Sequence, residues 1–179
     1  LLPGNPSSVH AEGRAARARV EDARAAVAAL VGVAPAQVTF TGSGSEANNM
    51  ALAGLRPARV VVSAIEHASI LRPAAERAGA FALIPVTADG VIDLAALEGI
   101  LSEPTEGGPT LVSVMLANNE TGVIQPIAEV VALARRAGAR VHVDAVQALG
   151  RVALAFDAMG CDLMSLSAHK IGGPKGIGA

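Results

Sequence analysis

Apolar residues recur along this chain in two rhythms, and the switches between them outline the fold. Between about residues 8 and 31, Val20, Ala23, Val27, Leu30 and Val31 fall at helical spacing, with Ser7 and Ser8 as candidate caps and Gly32 as the stop. A short apolar run at 38–40 predicts a strand that feeds Thr41-Gly-Ser-Gly-Ser45, with a helix opening near Glu46. Apolar-rich runs at 59–63, 81–86 and 110–116, and apolar alternations at 140–143 and 162–166, then read as strands. Helical patterns at 69–78, 93–101 and 127–137 separate most of them, with a turn at Asp89-Gly90 and a loop over 102–109.

Strands that alternate with helices predict βαβ units, so the expected class is α/β: a mainly parallel sheet with helices on both faces. No repeat, low-complexity run or interdomain linker divides the chain, and residues 1–179 read as one domain. In parallel sheets ligands bind beyond the carboxyl ends of the strands. Residues 41–45, Glu66-His67, Asn118-Asn119, 144–147 and 167–170 all lie at such ends, so five loops are expected to converge on one side of the sheet.

Composition narrows the choice of chemistry. Half of the chain is hydrophobic and the net charge is only -2, which is a poor surface for nucleic acid. No apolar stretch reaches the length of a membrane span, and the first residues do not form a signal peptide. The single Cys161 rules out an internal disulfide, fits a reducing cytoplasm, and reads as a small buried hydrophobe. The four histidines lack metal-ligand spacing, so no metal site is expected. Trp and Tyr are absent, so a flat ligand ring would stack on histidine or on a residue outside the chain. Both ends read as cut, with no opening Met and a new strand about to begin where the chain stops, at Lys175-Gly-Ile-Gly-Ala179.

Two groups stand out chemically. Asp144 closes an apolar run, and Lys170 follows another next to Gly172-Gly-Pro. A lysine that forms a Schiff base and an acid that pairs with a pyridinium nitrogen are what pyridoxal phosphate (PLP) most needs. Lys175 is the rival amine in the same loop, and Asp144 can equally be a helix cap. The glycine-rich turn at 41–45 suits a phosphate or is an ordinary strand-to-helix turn; it is neither a P-loop nor a dinucleotide fingerprint. Ser167 and His169 can hydrogen-bond a phosphate. His67 can lie over a ring and shuttle protons, or simply cap a helix. His142, alternating with Asp144, reads as a satisfied sheet residue and His10 as a helix-terminal surface group.

Six blocks in order carry a resemblance: Gly4-Asn-Pro-Ser-Ser-Val-His10, Phe40 to Asn49, Glu66-His67, Ala117-Asn-Asn-Glu-Thr-Gly-Val-Ile-Gln-Pro126, His142 to Gln147 and Ser167 to Ala179. Together they resemble the cysteine desulfurases of the class V aminotransferase-like PLP enzymes, over essentially the whole chain. The resemblance implies the large domain of a fold type I PLP enzyme. It implies that Lys170 carries PLP, Asp144 pairs with its pyridine nitrogen and Gln147 contacts its ring hydroxyl. His67 would stack on the ring and assist proton transfer, Gly44, Ser45, Ser167 and His169 would bind the phosphate, and Asn119 would line the pocket. The implied reaction converts L-cysteine to L-alanine, the sulfur passing to an enzyme persulfide and on to an acceptor protein for iron–sulfur clusters and other products. Homodimers are usual in that family.

Two departures qualify the match. The turn reads Thr41-Gly-Ser-Gly-Ser45 where Thr-Ser-Gly-Gly-Thr is usual, so glycine and serine have exchanged places and the terminal hydroxyl survives. The family's nucleophilic cysteine, its substrate-carboxylate arginine and the partner's phosphate contact come from segments after the position of Ala179, and its opening strand is missing; Cys161 does not occupy the nucleophile's place. These residues alone are therefore expected to be inactive. The alternatives are a selenocysteine lyase or another class V aminotransferase, or a truncated PLP-binding protein without catalysis.

Overall fold

The computed structural model describes residues 4–77 and 79–179. Helix α1 (Ala11–Val31) leads to α2 (Gly44–Gly54), after which strands and helices alternate: β1 (Arg59–Ser63), α3 (Ala68–Glu76), β2 (Ala80–Ile84), α4 (Leu94–Ser102), β3 (Thr110–Met115), α5 (Ile127–Arg136), β4 (Arg140–Asp144), α6 (Phe156–Met159) and β5 (Leu163–Ser165). The strands form one sheet in the order β2-β1-β3-β4-β5, and every pairing is parallel. The α/β class and five of the six predicted strands thus stand. The expected end of α3 at Ala78 lies outside the described residues.

Side-chain alternation divides the sheet between two helical layers. Val60 and Val62 of β1 and Leu111 of β3 pack with Leu52 of α2 and with Ile70 and Ala74 of α3. The next residues along, Val61, Val112, Val114, Val141 and Val143, join Leu97 and Leu101 of α4 and Ile127, Val130, Val131 and Ala134 of α5. Central strands buried on both faces explain why β1 and β3 show no regular alternation of apolar and polar residues.

Three expectations change. No strand forms at 38–40: a 3₁₀ turn (Pro35–Gln37) precedes it, the Val38 carbonyl accepts from the Arg24 guanidinium, and that guanidinium sits 5.1 Å from the Phe40 ring centroid. A side chain has satisfied a carbonyl that a neighbouring strand would otherwise pair. Only Thr41 pairs, as an isolated antiparallel bridge with Gly178. Helix α1 starts at Ala11 rather than near Ser8, because Asn5 captures the Ser7 and Ser8 amides in a turn and His10 Nδ1 caps the helix by accepting from Gly13 at 3.2 Å. Its buried positions are Gly13, Ala16, Ala28 and Val31, while Leu30 is exposed. Gly32 does end it, in the left-handed conformation with φ 77°.

Arg59 locks the edge of the sheet opposite the strand ends. Its guanidinium is buried and donates to Ile100 O at 3.0 Å and Glu103 O at 3.2 Å, at the C-terminus of α4, and to Thr110 Oγ1 at 3.3 Å. The positive charge thereby meets the negative end of a helix. Arg59→Met leaves those carbonyls without their donor, and urea unfolding should show a loss of about 3 kcal/mol. An unchanged midpoint would mean the contact contributes nothing net.

Candidate active site at the strand ends

The carboxyl ends of the strands enclose a cavity of about 420 Å³. Gly44, Ser45, His67, Asn119, Asp144, Gln147, Ser167, His169 and Lys170 all line it, so every residue singled out for a site comes to one place. Lys175, the rival amine, lies outside the lining and is exposed.

One end of the cavity presents hydrogen-bond donors of a kind that suit an anion. Ser43 caps α2, its hydroxyl accepting from Glu46 N at 3.1 Å, while Glu46 reaches back to Gly42 N at 2.6 Å. The amides of Gly44 and Ser45, in the first turn, have no partner within the helix and sit at its positive end. Facing them is Ser167, whose hydroxyl is 2.8 Å from His169 Nδ1. The approach is close: a Cβ on Gly44 would stand 3.0 Å from the Val146 side chain and 3.1 Å from Ser167 Cβ. Glycine at 44 is therefore set by packing rather than by its own backbone angle. Lys170 follows in a 3₁₀ turn (Ala168–Ile171) whose last residue is succeeded by Gly172 at φ 80°.

The other end is acidic and buried. Asp144 closes β4 with Oδ1 accepting from Val146 N at 3.0 Å and Oδ2 from Asn48 Nδ2 at 2.8 Å. The first contact is the turn-forming role that any Asp after a strand can play; the second reaches across from α2 and serves no local turn. Asn48 and Ser69 went unnoticed in the sequence, although Asn48 stands one helical turn beyond Gly44 on the same face of α2. Asn119 is held out by its neighbour: Asn118 Oδ1 accepts from the Glu120 and Thr121 amides, both at 2.9 Å, and its Nδ2 donates to Ile65 O at 3.0 Å.

Beneath Asp144 runs a polar line through the sheet. His142, fully buried, sits 2.9 Å from Ser113 Oγ on β3 and 2.8 Å from Ser165 Oγ on β5. Burial pushes its pKa down from 6.5 to about 4, against the pull of Asp144, so the ring is neutral at physiological pH. Glu66 is buried too, accepting from Met115 N with one oxygen and leaving Oε2 without a partner among the described residues. Burial, then the nearby Asp144, push its carboxyl well above the usual 4.5, and the Met115 amide only partly offsets this. Cys161 is pushed up to about 11 by burial, so it offers no thiolate at neutral pH.

Residues 2–179 match the class-V aminotransferase family. The chain belongs to that family. Among curated class-V relatives, an "IscS-like cysteine desulfurase" of Mycobacterium tuberculosis is 41% identical, across 98% of this chain and 48% of its own. The "Cysteine desulfurase, mitochondrial" of Drosophila melanogaster is 42% identical, across 98% of this chain and 39% of its own. The chain thus spans about half the length, or less, of the curated relatives it matches. Among solved structures, a NifS-like protein from Rickettsia africae superposes with a TM-score of 0.92 at 37% identity, over 98% of this chain and 49% of the other. "SspA in complex with cysteine" superposes at 0.90 with 32% identity, over 99% and 52%. No helix among the described residues is long and apolar enough to cross a membrane, and none of their His, Cys, Asp and Glu side chains form a metal-holding group.

The two buried titratable groups bend stability against pH in opposite directions. His142 is neutral when folded but protonates when unfolded, so its contribution is full above pH 6.5 and is lost as pH falls toward 4. Glu66 keeps its proton when folded, so its contribution is full below 4.5 and declines as pH rises. Denaturant titrations of the native protein, His142→Gln and Glu66→Gln across this range should separate the two. Each substitution should remove a slope of up to about 1.4 kcal/mol per pH unit, of opposite sign. Parallel curves for all three would contradict both assignments.

Proposed function

We propose that this chain is the PLP-binding large domain of a cysteine desulfurase, comprising all of residues 1–179, which takes sulfur from L-cysteine and leaves L-alanine. The observation that carries the reading is the convergence of the nine residues on one cavity, with anion donors at one end and a carboxyl at the other. The donor set fits the cofactor. The Gly44 and Ser45 amides, the Ser167 hydroxyl and His169 suit a phosphate, and Asp144, held by Asn48 and Val146, suits a pyridinium N–H. When bound, PLP supplies an electron sink for the bonds at the substrate α-carbon.

This chain's own residues do the rest. Lys170 would hold the cofactor covalently through Nζ, an amine that can also carry a proton. Asp144 would pair with the pyridine nitrogen and keep it protonated, and Gln147 would contact the ring hydroxyl. His67 would stack on the ring and move a proton, a role suited to an imidazole in a sequence without Trp or Tyr. Asn119 borders the substrate. Cys161 is too deeply protonated to accept sulfur, so the accepting thiolate belongs to another segment of the polypeptide. From it sulfur passes to an acceptor protein, for iron–sulfur clusters and other products. A homodimer and a reducing compartment such as the cytoplasm suit this chemistry.

The test is made on the full polypeptide that carries this chain. Loaded with PLP and reduced with borohydride, it should carry the pyridoxyl adduct on Lys170, and L-cysteine should yield equal amounts of alanine and sulfide with a thiol reductant. Lys170→Ala should lower alanine formation by at least ~1,000-fold, as expected for loss of a covalent catalyst. An adduct on Lys175 would refute the residue assignment, and absence of alanine would refute the reaction. Preference for selenocysteine, or transfer of the amino group, would replace it with another class V activity.

A further inference from the structure

Asp144 and His67 stand on different elements, yet a continuous line of hydrogen bonds joins them. Asn48 Nδ2 lies 2.8 Å from Asp144 Oδ2 and 2.9 Å from Ser69 Oγ. Ser69 Oγ in turn lies 2.8 Å from His67 Nδ1, and the Ser69 amide donates to the same nitrogen at 3.1 Å.

The chemistry of each group gives this line one direction. A carboxylate only accepts, so the Asn48 amide must turn its NH₂ toward Asp144. The opposite orientation would set Oδ1 against the carboxylate. The second hydrogen of the NH₂ group then points to Ser69, whose oxygen must accept it. Having accepted, the Ser69 hydroxyl has its own hydrogen free, and His67 Nδ1 is 2.8 Å away. That nitrogen receives the hydroxyl and the amide of Ser69 together, and both need its lone pair. Nδ1 is thereby the acceptor nitrogen, and the proton of a neutral ring must sit on Nε2. Only this assignment satisfies all four contacts.

We propose that Asn48 and Ser69 are positioning residues that fix His67 as the Nε2–H tautomer, so that it meets the cavity as a hydrogen-bond donor. His67 is exposed and would otherwise turn freely about its side-chain bonds; the relay ties one ring edge to the start of α3 and leaves the other edge to the cavity. In the desulfurase reading His67 therefore enters the reaction offering a proton at Nε2 rather than accepting one there. The catalytic meaning rests on that reading. The tautomer does not, and it is measured without cofactor turnover, so the two can fail separately.

The measurement is the ¹⁵N spectrum of the imidazole nitrogens in histidine-labelled full-length protein, with His67 assigned by its loss in His67→Gln. The native protein should show Nδ1 as the bare nitrogen and Nε2 as the protonated one. Ser69→Ala should move the two resonances toward each other, the mark of a mixed population, and Ser69→Thr should restore the native pair. Asn48→Ala should move them in the same direction although it touches no atom of His67. The His142 signals, arising between Ser113 and Ser165, report in each variant that the sheet is intact. A proton on Nδ1 in the native protein would overturn the proposal. So would a His67 spectrum unchanged by Asn48→Ala in a folded variant, because Ser69 would then be acting as a local cap alone.

Discussion

A carboxyl at the sealed end of a parallel strand needs donors, and the β4 backbone can supply only one to Asp144. The other comes from Asn48, ninety-six residues earlier, which can reach it only if α2 lies across the tip of β4. The placement of α2 then fixes much else. Its first turn carries Gly44 up against Ser167, and its inner face packs Leu52 on Val60 and Val62. One hydrogen bond between an amide and an acid thus ties the anion-binding end of the cavity to the acidic end. An error in the seat of α2 would misplace both together.

The sheet beneath is polarised by face. On the α4 and α5 side the middle of the sheet is aliphatic, at Val61, Val112, Val114, Val141 and Val143. On the α2 and α3 side the aliphatic residues of β1 give way to Ser113, His142 and Ser165, and beyond them to Asp144. Each member of this polar line has a partner, which makes its burial tolerable. Among the buried side-chain nitrogens and oxygens of the described residues, Asn48 Oδ1 and Glu66 Oε2 are the ones left without a partner, and burial, then the nearby Asp144, push the Glu66 carboxyl well above its usual range. The end of the sheet where ligands gather is therefore the end where packing has been given up for polarity, a compromise expected at a functional site.

What could be read from the sequence followed from what each signal depends on. Strand runs such as 59–63 and 110–116 were legible because burial on both faces places consecutive apolar residues, Val60-Val61-Val62 and Leu111-Val112, next to one another. The strand at 38–40 failed because Val38 and Phe40 are apolar for another reason: Arg24 from α1 lies over the Phe40 ring and hydrogen-bonds the Val38 carbonyl, a contact that no local pattern encodes. The cap of α1 failed in the same way, since Ser7 and Ser8 were the better candidates until Asn5 took them into its own turn. The cavity residues were found because strand ends are points where a rhythm breaks off. Asn48 and Ser69 sit inside helices, and only the fold reveals that they face Asp144 and His67.

The turn at 41–45 is shaped from outside. Thr41 exchanges backbone hydrogen bonds with Gly178, at 2.8 and 2.9 Å, and a Cβ at 178 would stand 2.3 Å from the Ser43 carbonyl carbon. A loop near the start of the chain thus takes its form from a segment added more than a hundred residues later. During synthesis, β1 to β4 can assemble in order as each crossover emerges, because every pairing among them is between strands already made. The turn at 41–45 cannot. It stays without its bracing partner until the ribosome has passed Gly178, so the nascent polypeptide can pair β1 to β4 well before this turn is held in shape.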